Sequence, residues 1–173
     1  MLRMHRAVSM MVLILLLSGC SGKEPGRYYN SRDNFSIKFP EEWENTEGFM
    51  GTAVISRSLL ENNADQFREN VNVVVEQLPR EMSLDEYGAA GIQNLPRVIT
   101  DFQEIENGAT TINEHDAKWL MYSGRVGTIR LKCRQFYMVH NKRGYVITCS
   151  ATPETYDSYK YTFDDVAMSF QFE

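Results

Sequence analysis

The chain has 173 residues, 43% of them hydrophobic and 24% charged, which is the composition of a globular domain and excludes a disordered or polytopic membrane protein. It has 18 basic and 23 acidic residues, so the formal charge is −5 and general nucleic-acid binding through phosphate contacts is disfavoured. Three cysteines are too few for a disulfide scaffold.

Residues 1–19 have the pattern of a signal peptide. Arg3 and Arg6 supply a basic start, and the apolar run from Ala7 to Leu17 is broken only by Ser9. This run of about eleven residues is well short of the ~20 that a membrane-spanning helix needs, and small residues follow it.

The segment Leu17-Ser18-Gly19-Cys20 resembles the lipobox of bacterial lipoproteins. In that class the cysteine carries a diacylglycerol and becomes the first residue of the mature protein, so Cys20 is the predicted lipidation site. Two or three acyl chains hold a protein stably on a membrane that it does not cross. We expect anchoring on the extracytoplasmic face of a bacterial membrane, and Ser21 favours the outer membrane if the host has two. The alternative is an ordinary secretory signal.

The predicted organisation is a signal peptide at 1–19, a lipidated tether at 20–27 and one domain at 28–173. Removing the signal peptide takes away Arg3 and Arg6 and no acid, which leaves 16 basic and 23 acidic residues and a charge of −7. The tether is polar and contains glycine and proline, without hydrophobic periodicity.

Strands are predicted where apolar and polar residues alternate or where strand-length apolar runs occur. The alternation is clearest at Phe35-Ser36-Ile37-Lys38-Phe39, which Pro40 ends. A long polar connection occupies 59–70. The predicted strands are 35–39, 52–57, 71–78, 102–111, 117–124, 128–140 and 145–151.

Two segments are predicted as helices. Ser83 stands three residues before Glu86, so the two can form a capping box that begins a helix, with Pro96 expected to kink or end it. A second amphipathic helix follows the cap pattern Thr152-Pro153-Glu154 and is expected to fray near Phe172. The order of these elements predicts an α+β fold, an antiparallel sheet flanked by helices.

Several segments, taken in order, resemble the PsbP-like family, which includes bacterial DcrB-type lipoproteins. The resemblance covers about 35–172 and implies an α/β/α sandwich without catalysis or a cofactor, whose members look like accessory, assembly or binding modules of membrane systems. The turn before Ala117 departs from the compact turn usual in the family. The segments are Phe35-x-Ile37-x-Phe39-Pro40-x-x-Trp43, Ser83-Leu84-x-Glu86-Tyr87, Ala117-x-Trp119-Leu120-x-Tyr122, Gly144-Tyr145-x-Ile147-Thr148 and the helix ending Phe163-x-x-Val166-x-x-Ser169-Phe170.

Cys133 and Cys149 lie in phase with the apolar residues of their strands, so both are expected to face the same core. The extracytoplasmic compartment permits a disulfide. A turn centred on Lys142 would place Cys149 opposite Gln135 and the cysteines roughly 7 Å or more apart, beyond the usual disulfide range. A two-residue register change would bring them together, so a disulfide and two buried free thiols both remain open.

Arg130, Lys132 and Arg134 occupy the other face of one of these strands and form a candidate positive stripe on an acidic domain. One interpretation is a patch that binds an anionic partner protein, phospholipid head group or envelope polymer. The other is an ordinary charged strand face, whose aliphatic stems pack if a helix covers it.

No metal site is predicted. Glu114, His115 and Asp116 offer three donors in one turn, but no zinc motif with characteristic spacing occurs, and a polar hairpin turn is the better interpretation.

The sequence favours a lipid-anchored extracytoplasmic module that binds or helps assemble an envelope component and is not an enzyme. It contains no nucleophile elbow, P-loop or dinucleotide glycine pattern. The alternative is a small-molecule or metal carrier that uses a cleft between the sheet and a helix. A concave pocket with convergent polar groups would favour the carrier, and a flat charged sheet face would favour the binding module.

Overall fold

The structure is a computed structural model that describes residues 23–62 and 65–173. The signal peptide and Cys20 therefore lie outside the described residues. A short 3₁₀ turn at Phe49–Gly51 accompanies the regular elements. These are β1 (Arg27–Asn30), β2 (Phe35–Lys38), β3 (Glu44–Glu47), β4 (Val54–Arg57), β5 (Asn70–Gln77), α1 (Leu84–Val98), β6 (Thr100–Ile112), β7 (His115–Val126), β8 (Ile129–His140), β9 (Arg143–Ala151), α2 (Tyr156–Met168) and β10 (Gln171–Phe172).

The strands form two antiparallel sheets. The large one has seven strands in the order β3-β4-β5-β9-β8-β7-β6, and the small one has the order β1-β2-β10. Long hairpins join β6 to β9 in sequence, whereas β5 pairs with β9 across the intervening elements. This arrangement confirms the predicted α+β class.

Both faces of the large sheet contribute to a core, because side chains alternate between the two sides of each strand and other elements pack on each side. One face packs against α2 and the small sheet, and this core contains Phe35, Phe136, Ile147 and Phe163. The other face packs against α1 through a smaller core that includes Leu120 and Tyr137. The layers are those of the α/β/α sandwich, with the small sheet sharing the layer of α2.

Helix α1 begins as predicted. The Ser83 side chain accepts a hydrogen bond from the backbone N–H of Glu86, and the Glu86 carboxylate accepts one from the backbone N–H of Ser83. Pro96 lies in the last turn of α1. Proline has no backbone N–H, so one helical hydrogen bond is missing there, but the helix continues to Val98. Val98 is exposed, whereas Tyr87 and Leu95 of the same helix are buried.

Several element boundaries differ from the sequence prediction, and β3 (Glu44–Glu47) was not predicted. Strand β1 begins at Arg27, the last residue of the predicted tether. Helix α2 begins at Tyr156, because Thr152 starts a separate turn that Thr155 closes with a 3.2 Å backbone hydrogen bond. Phe172 pairs with Phe35 in β10 and does not extend the helix. The chain ends therefore join β2 from both sides.

Helix α1 lies close to the sheet at Gly91. A Cβ atom built at this residue would lie 2.5 Å from Cε1 of Tyr137, whose ring packs edge-on against Tyr87 at 6.3 Å. At Gly88, by contrast, the nearest atom is Cδ of the flexible Lys118 side chain at 3.3 Å. The absence of a side chain at Gly91 therefore sets the distance between helix and sheet.

We expect Gly91→Ala to lower the free energy of unfolding by about 1–3 kcal/mol, because the added methyl group overpacks the Tyr137 ring. Gly88→Ala is the matched control and should be neutral or should stabilise by up to ~1 kcal/mol through helix propensity. Urea unfolding followed by circular dichroism measures both values. Equal effects of the two substitutions would contradict the proposed role of Gly91.

Candidate functional site

The predicted positive stripe is covered by α2. Each of its three cations forms an ion pair with an acid on or just before that helix, so the stripe offers no row of unpaired charge. These ion pairs favour the other interpretation, a charged strand face whose aliphatic stems pack where a helix covers it. The pairs are Arg130–Glu154 at 2.7 Å, Lys132–Asp157 at 3.5 Å and Arg134–Asp164 at 2.7 Å.

Arg134 is the most buried of the three, with 21% of its side chain exposed against 67% for Arg130. Its guanidinium lies over the rings of Trp119 and Phe136, at 4.5 and 5.0 Å from their centroids. These ring contacts lie within the sheet and fix the position of the guanidinium, whose ion pair with Asp164 then joins the sheet to α2. Arg134 therefore fastens α2 to the sheet.

A cleft of about 410 Å³ lies at the open end of the same stripe, beside Arg130 and Lys132. It also contains Arg125, which pairs with Asp101 at 2.8 Å. Because each cation in this cleft has its own acid, the cleft has no strong preference for an anion.

Cys133 and Cys149 face opposite cores, which corrects the expectation of a shared core. The β8–β9 turn is centred between Asn141 and Lys142, both with positive φ, so Cys149 lies opposite Arg134 and Cys133 opposite Ser150. That one-residue difference in register reverses the face of one cysteine. Both thiols are free, because they lie on opposite faces of the sheet and cannot bond to each other. Burial raises the pKa of each.

The two histidines of the domain lie together at the edge of the larger core. The His140 ring stacks on Phe172 at 4.3 Å, and the His115 ring meets the same phenylalanine edge-on at 4.7 Å. Desolvation and the neighbouring His115 lower the pKa of His140. Within residues 23–62 and 65–173, no three His, Cys, Asp or Glu side chains are grouped as metal ligands would be.

The side of the large sheet that carries α1 is only partly covered. Helix α1 packs mainly against β6, β7 and β8. It reaches β5 and β9 through Tyr87, which bonds to Glu76 and lies against Gly144, so the rest of these two strands has little helical cover on this side. The centre of the uncovered region is a row of neutral hydrogen-bonding residues, in which Thr148 lies between Asn72 and Gln135 on the neighbouring strands. We call this region, from α1 to the 49–51 turn, the open cleft.

The half of the open cleft next to α1 has a volume of about 280 Å³. It is lined by Val74, Leu95 and Val146 and by polar side chains, most of which bond one another. The Tyr87 hydroxyl donates to Glu76 at 2.9 Å. Gln135 accepts from the Tyr137 hydroxyl at 2.6 Å and donates to Thr148 at 2.9 Å. These bonds fix the shape of the floor.

The other half of the open cleft is apolar and has a volume of about 320 Å³. Phe49 and Met50 of the 3₁₀ turn form one lip and are 41% and 88% exposed, and Val126 at the opposite lip is 50% exposed. Exposed apolar side chains grouped around a cleft mark an interaction site on a soluble surface. The remaining lining residues are Thr52, Ile55, Phe67, Asn70, Asn72, Ile129, Leu131 and Ser150.

None of the cations, cysteines or histidines singled out in the sequence lines the apolar half, although Phe67 and Asn70 of the long polar connection do. Asn70 and Asn72 alternate with buried valines on β5, which is the sequence signal of a polar strand face. Nothing in that alternation shows that no helix covers the face.

The family model of PsbP matches residues 24–172. The chain belongs to the PsbP family. Its strands and helices confirm the resemblance found in the sequence.

Known relatives of this PsbP-family chain share its fold over most of its length. CyanoP from Synechocystis sp. (strain ATCC 27184 / PCC 6803 / Kazusa) is 26% identical over 192 aligned positions, which cover 98% of each chain. Its solution structure matches with a TM-score of 0.67 at 20% identity, over 91% of this chain and 99% of that chain. LpqN of Mycobacterium tuberculosis, a protein involved in cell envelope biogenesis, matches with a TM-score of 0.60 at 14% identity, over 86% of each chain.

A further structure with this fold is PA94 of Pseudomonas aeruginosa, a putative regulator of unknown function. It matches with a TM-score of 0.56 at 14% identity, over 80% of this chain and 90% of that chain. In the part of this PsbP-family chain that the structure describes, neither helix has the length and apolar character to cross a membrane.

We expect Arg134→Ala to lower the free energy of unfolding by about 1–3 kcal/mol, because it removes packed stem and ring contacts and leaves Asp164 without its partner. Arg130→Ala removes an exposed ion pair and should cost no more than about 0.5 kcal/mol. Chemical denaturation of the two variants tests this difference. Equal losses would show that Arg134 does not fasten α2.

Proposed function

We propose that this protein is a lipid-anchored, extracytoplasmic, non-catalytic module that binds or helps assemble a component of the cell envelope, and that it binds through the open cleft. The observation that carries the proposal is the incomplete cover of the large sheet. Beyond the part of the sheet that α1 covers, apolar side chains line the edges of the open cleft and neutral hydrogen-bonding residues line its floor. A domain of this size has no need of such a surface for its own core.

A non-catalytic role is supported by the state of the reactive side chains. Both described thiols are buried with raised pKa values, so they are poor nucleophiles. Most of the acids near the three clefts are held by cations or hydroxyl groups. The open cleft therefore offers binding groups and no activated nucleophile.

The lipid anchor rests on the lipobox-like segment that ends at Cys20. At about 3.5 Å per residue, residues 20–26 span at most ~25 Å, so the domain would stay close to the lipid layer. The likeness to LpqN, which is involved in cell envelope biogenesis, supports a place in the envelope.

The anchor and the open cleft would lie on opposite sides of the domain. Arg27, where the tether meets β1, donates to the backbone oxygen of Ser169 at 2.7 Å, at the end of α2. The open cleft is on the α1 side of the large sheet. A protein held at the membrane by its tether would therefore present the cleft to the aqueous space of the envelope.

A carrier of small molecules is the second candidate, because a cleft does lie between α1 and the sheet. Its volume of about 280 Å³ is at the small end for ligand pockets, and its polar groups bond one another and do not converge on an empty centre. We therefore favour the binding module over the carrier.

Cys20→Ala tests the anchor. Cells fed an alkyne analogue of palmitate should label the wild-type protein and the control Ser21→Ala, whereas Cys20→Ala should lose the label, because the thiol that accepts the lipid is absent. Labelling is read in a gel after dye coupling. An unchanged label on Cys20→Ala would overturn the proposed anchor.

A photoreactive residue tests the cleft. We expect p-benzoylphenylalanine at Met50 to form a discrete crosslinked adduct in living cells, since Met50 is 88% exposed on the lip of the open cleft. The matched control is the same residue at Tyr161 on α2, which is 71% exposed. Adducts of equal yield at both positions, or none at Met50, would contradict a specific role for the cleft.

A further inference from the structure

The apolar half of the open cleft is presented by a fixed turn. Met50 has a left-handed backbone conformation with φ 48°, and Thr52 donates to the backbone oxygen of Phe49 through its N–H at 3.0 Å and its hydroxyl at 2.8 Å. The Arg57 guanidinium lies over the Phe49 ring at 4.9 Å and holds it over the sheet. This half is thus a preformed site for an apolar group of the bound molecule.

The middle of the open cleft offers a free amide. Asn72 lies between Ile55 and Thr148 on the neighbouring strands. Within residues 23–62 and 65–173, its side chain makes no hydrogen bond, although the adjacent Thr148 and Gln135 bond each other. A side-chain amide both donates and accepts, as a peptide group does, so Asn72 can pair with the backbone of an extended chain.

The far end of the open cleft is acidic. Glu76 lies on the same face of β5 as Asn72, four residues further on, or about 13 Å at the rise of a strand. Its carboxylate accepts the Tyr87 hydroxyl, and none of the ion pairs among the described residues includes it. The Glu76 carboxylate would attract a positively charged group of a bound molecule, and the sequence as a whole is acidic.

These three features favour a peptide over a lipid as the ligand of the open cleft. An acyl chain could fill the apolar half but would leave Asn72 and Glu76 unused. The tether also leaves from the α2 side, so the open cleft lies away from the layer that would supply lipids. An extended peptide uses all three features at once.

We propose that the open cleft binds an extended segment of a partner protein, with an apolar side chain between the 49–51 turn and β8 and a lysine or arginine at Glu76. From Asn70 and Asn72 to Glu76, the cleft corresponds to about four to six residues of extended chain. The proposal rests on the binding role given above and adds the chemical class of the ligand.

Selection from a random linear peptide library tests the proposal, with the full-length protein purified from the expressing cells and held in phosphatidylcholine nanodiscs. The enriched peptides should share an apolar residue and a lysine or arginine about four to six positions apart. One such peptide is then synthesised as the probe, and its affinity is measured by fluorescence anisotropy at low and high salt.

Two variants test whether the probe peptide binds in the open cleft. Glu76→Gln keeps a hydrogen-bond acceptor for Tyr87 and should weaken binding about fivefold and remove most of its salt dependence. Met50→Asp changes an exposed side chain and should weaken binding about tenfold. The controls Tyr161→Asp and Asp165→Asn lie on α2 and should leave the affinity within about twofold. Thermal unfolding confirms that all four variants fold.

Three outcomes would overturn the proposal: no enriched pattern, equal binding by Glu76→Gln and wild type, or Met50-dependent binding of phosphatidylcholine vesicles, which would make the cleft a lipid site. If the peptide tests fail while the Met50 crosslink and the Cys20 label persist, the proposed binding module still stands and only the peptide proposal is wrong. If the Met50 crosslink is absent as well, both the peptide proposal and the proposed binding role of the open cleft are wrong.

Discussion

The register between β8 and β9 is the constraint on which the rest of the structure depends. It places Arg134 opposite Cys149 and Cys133 opposite Ser150, and so decides which residues of both strands meet α2. Because side chains alternate, a slip of one residue would move Phe136 and Met138 out of the larger core and separate the three cations from their acids. The two-residue turn at Asn141 and Lys142, with both residues in the left-handed region, fixes this register.

Features with a local cause could be predicted from the sequence. The alternation at 35–39 corresponds to β2, and the reciprocal bonds of Ser83 and Glu86 begin α1 where expected. The four long strands after α1 were also predictable, since each contains its own apolar period and polar turn. The family resemblance adds their order in space, which periodicity alone does not provide.

Features that depend on distant contacts could not be predicted. The face of Cys149 depends on whether the turn is centred on Lys142 or between Asn141 and Lys142, a difference that the composition of the turn does not reveal. The cover of Arg134 by α2 and the open cleft at Asn72 depend on which strands each helix crosses. The candidate binding site was missed for this reason, because its polar strand face looks the same with or without a helix above it.

The position of β2 between β1 and β10 has a consequence for how the protein is made. β2 is synthesised early, but its second neighbour contains residues Gln171 and Phe172 at the end of the chain, and Glu173 donates to Asn34. The small sheet can close only after Gln171 and Phe172 have been synthesised, and contacts of such long sequence separation are slow to form. Loss of Gln171 and Phe172 would leave one edge of β2, the central strand of the small sheet, without a partner.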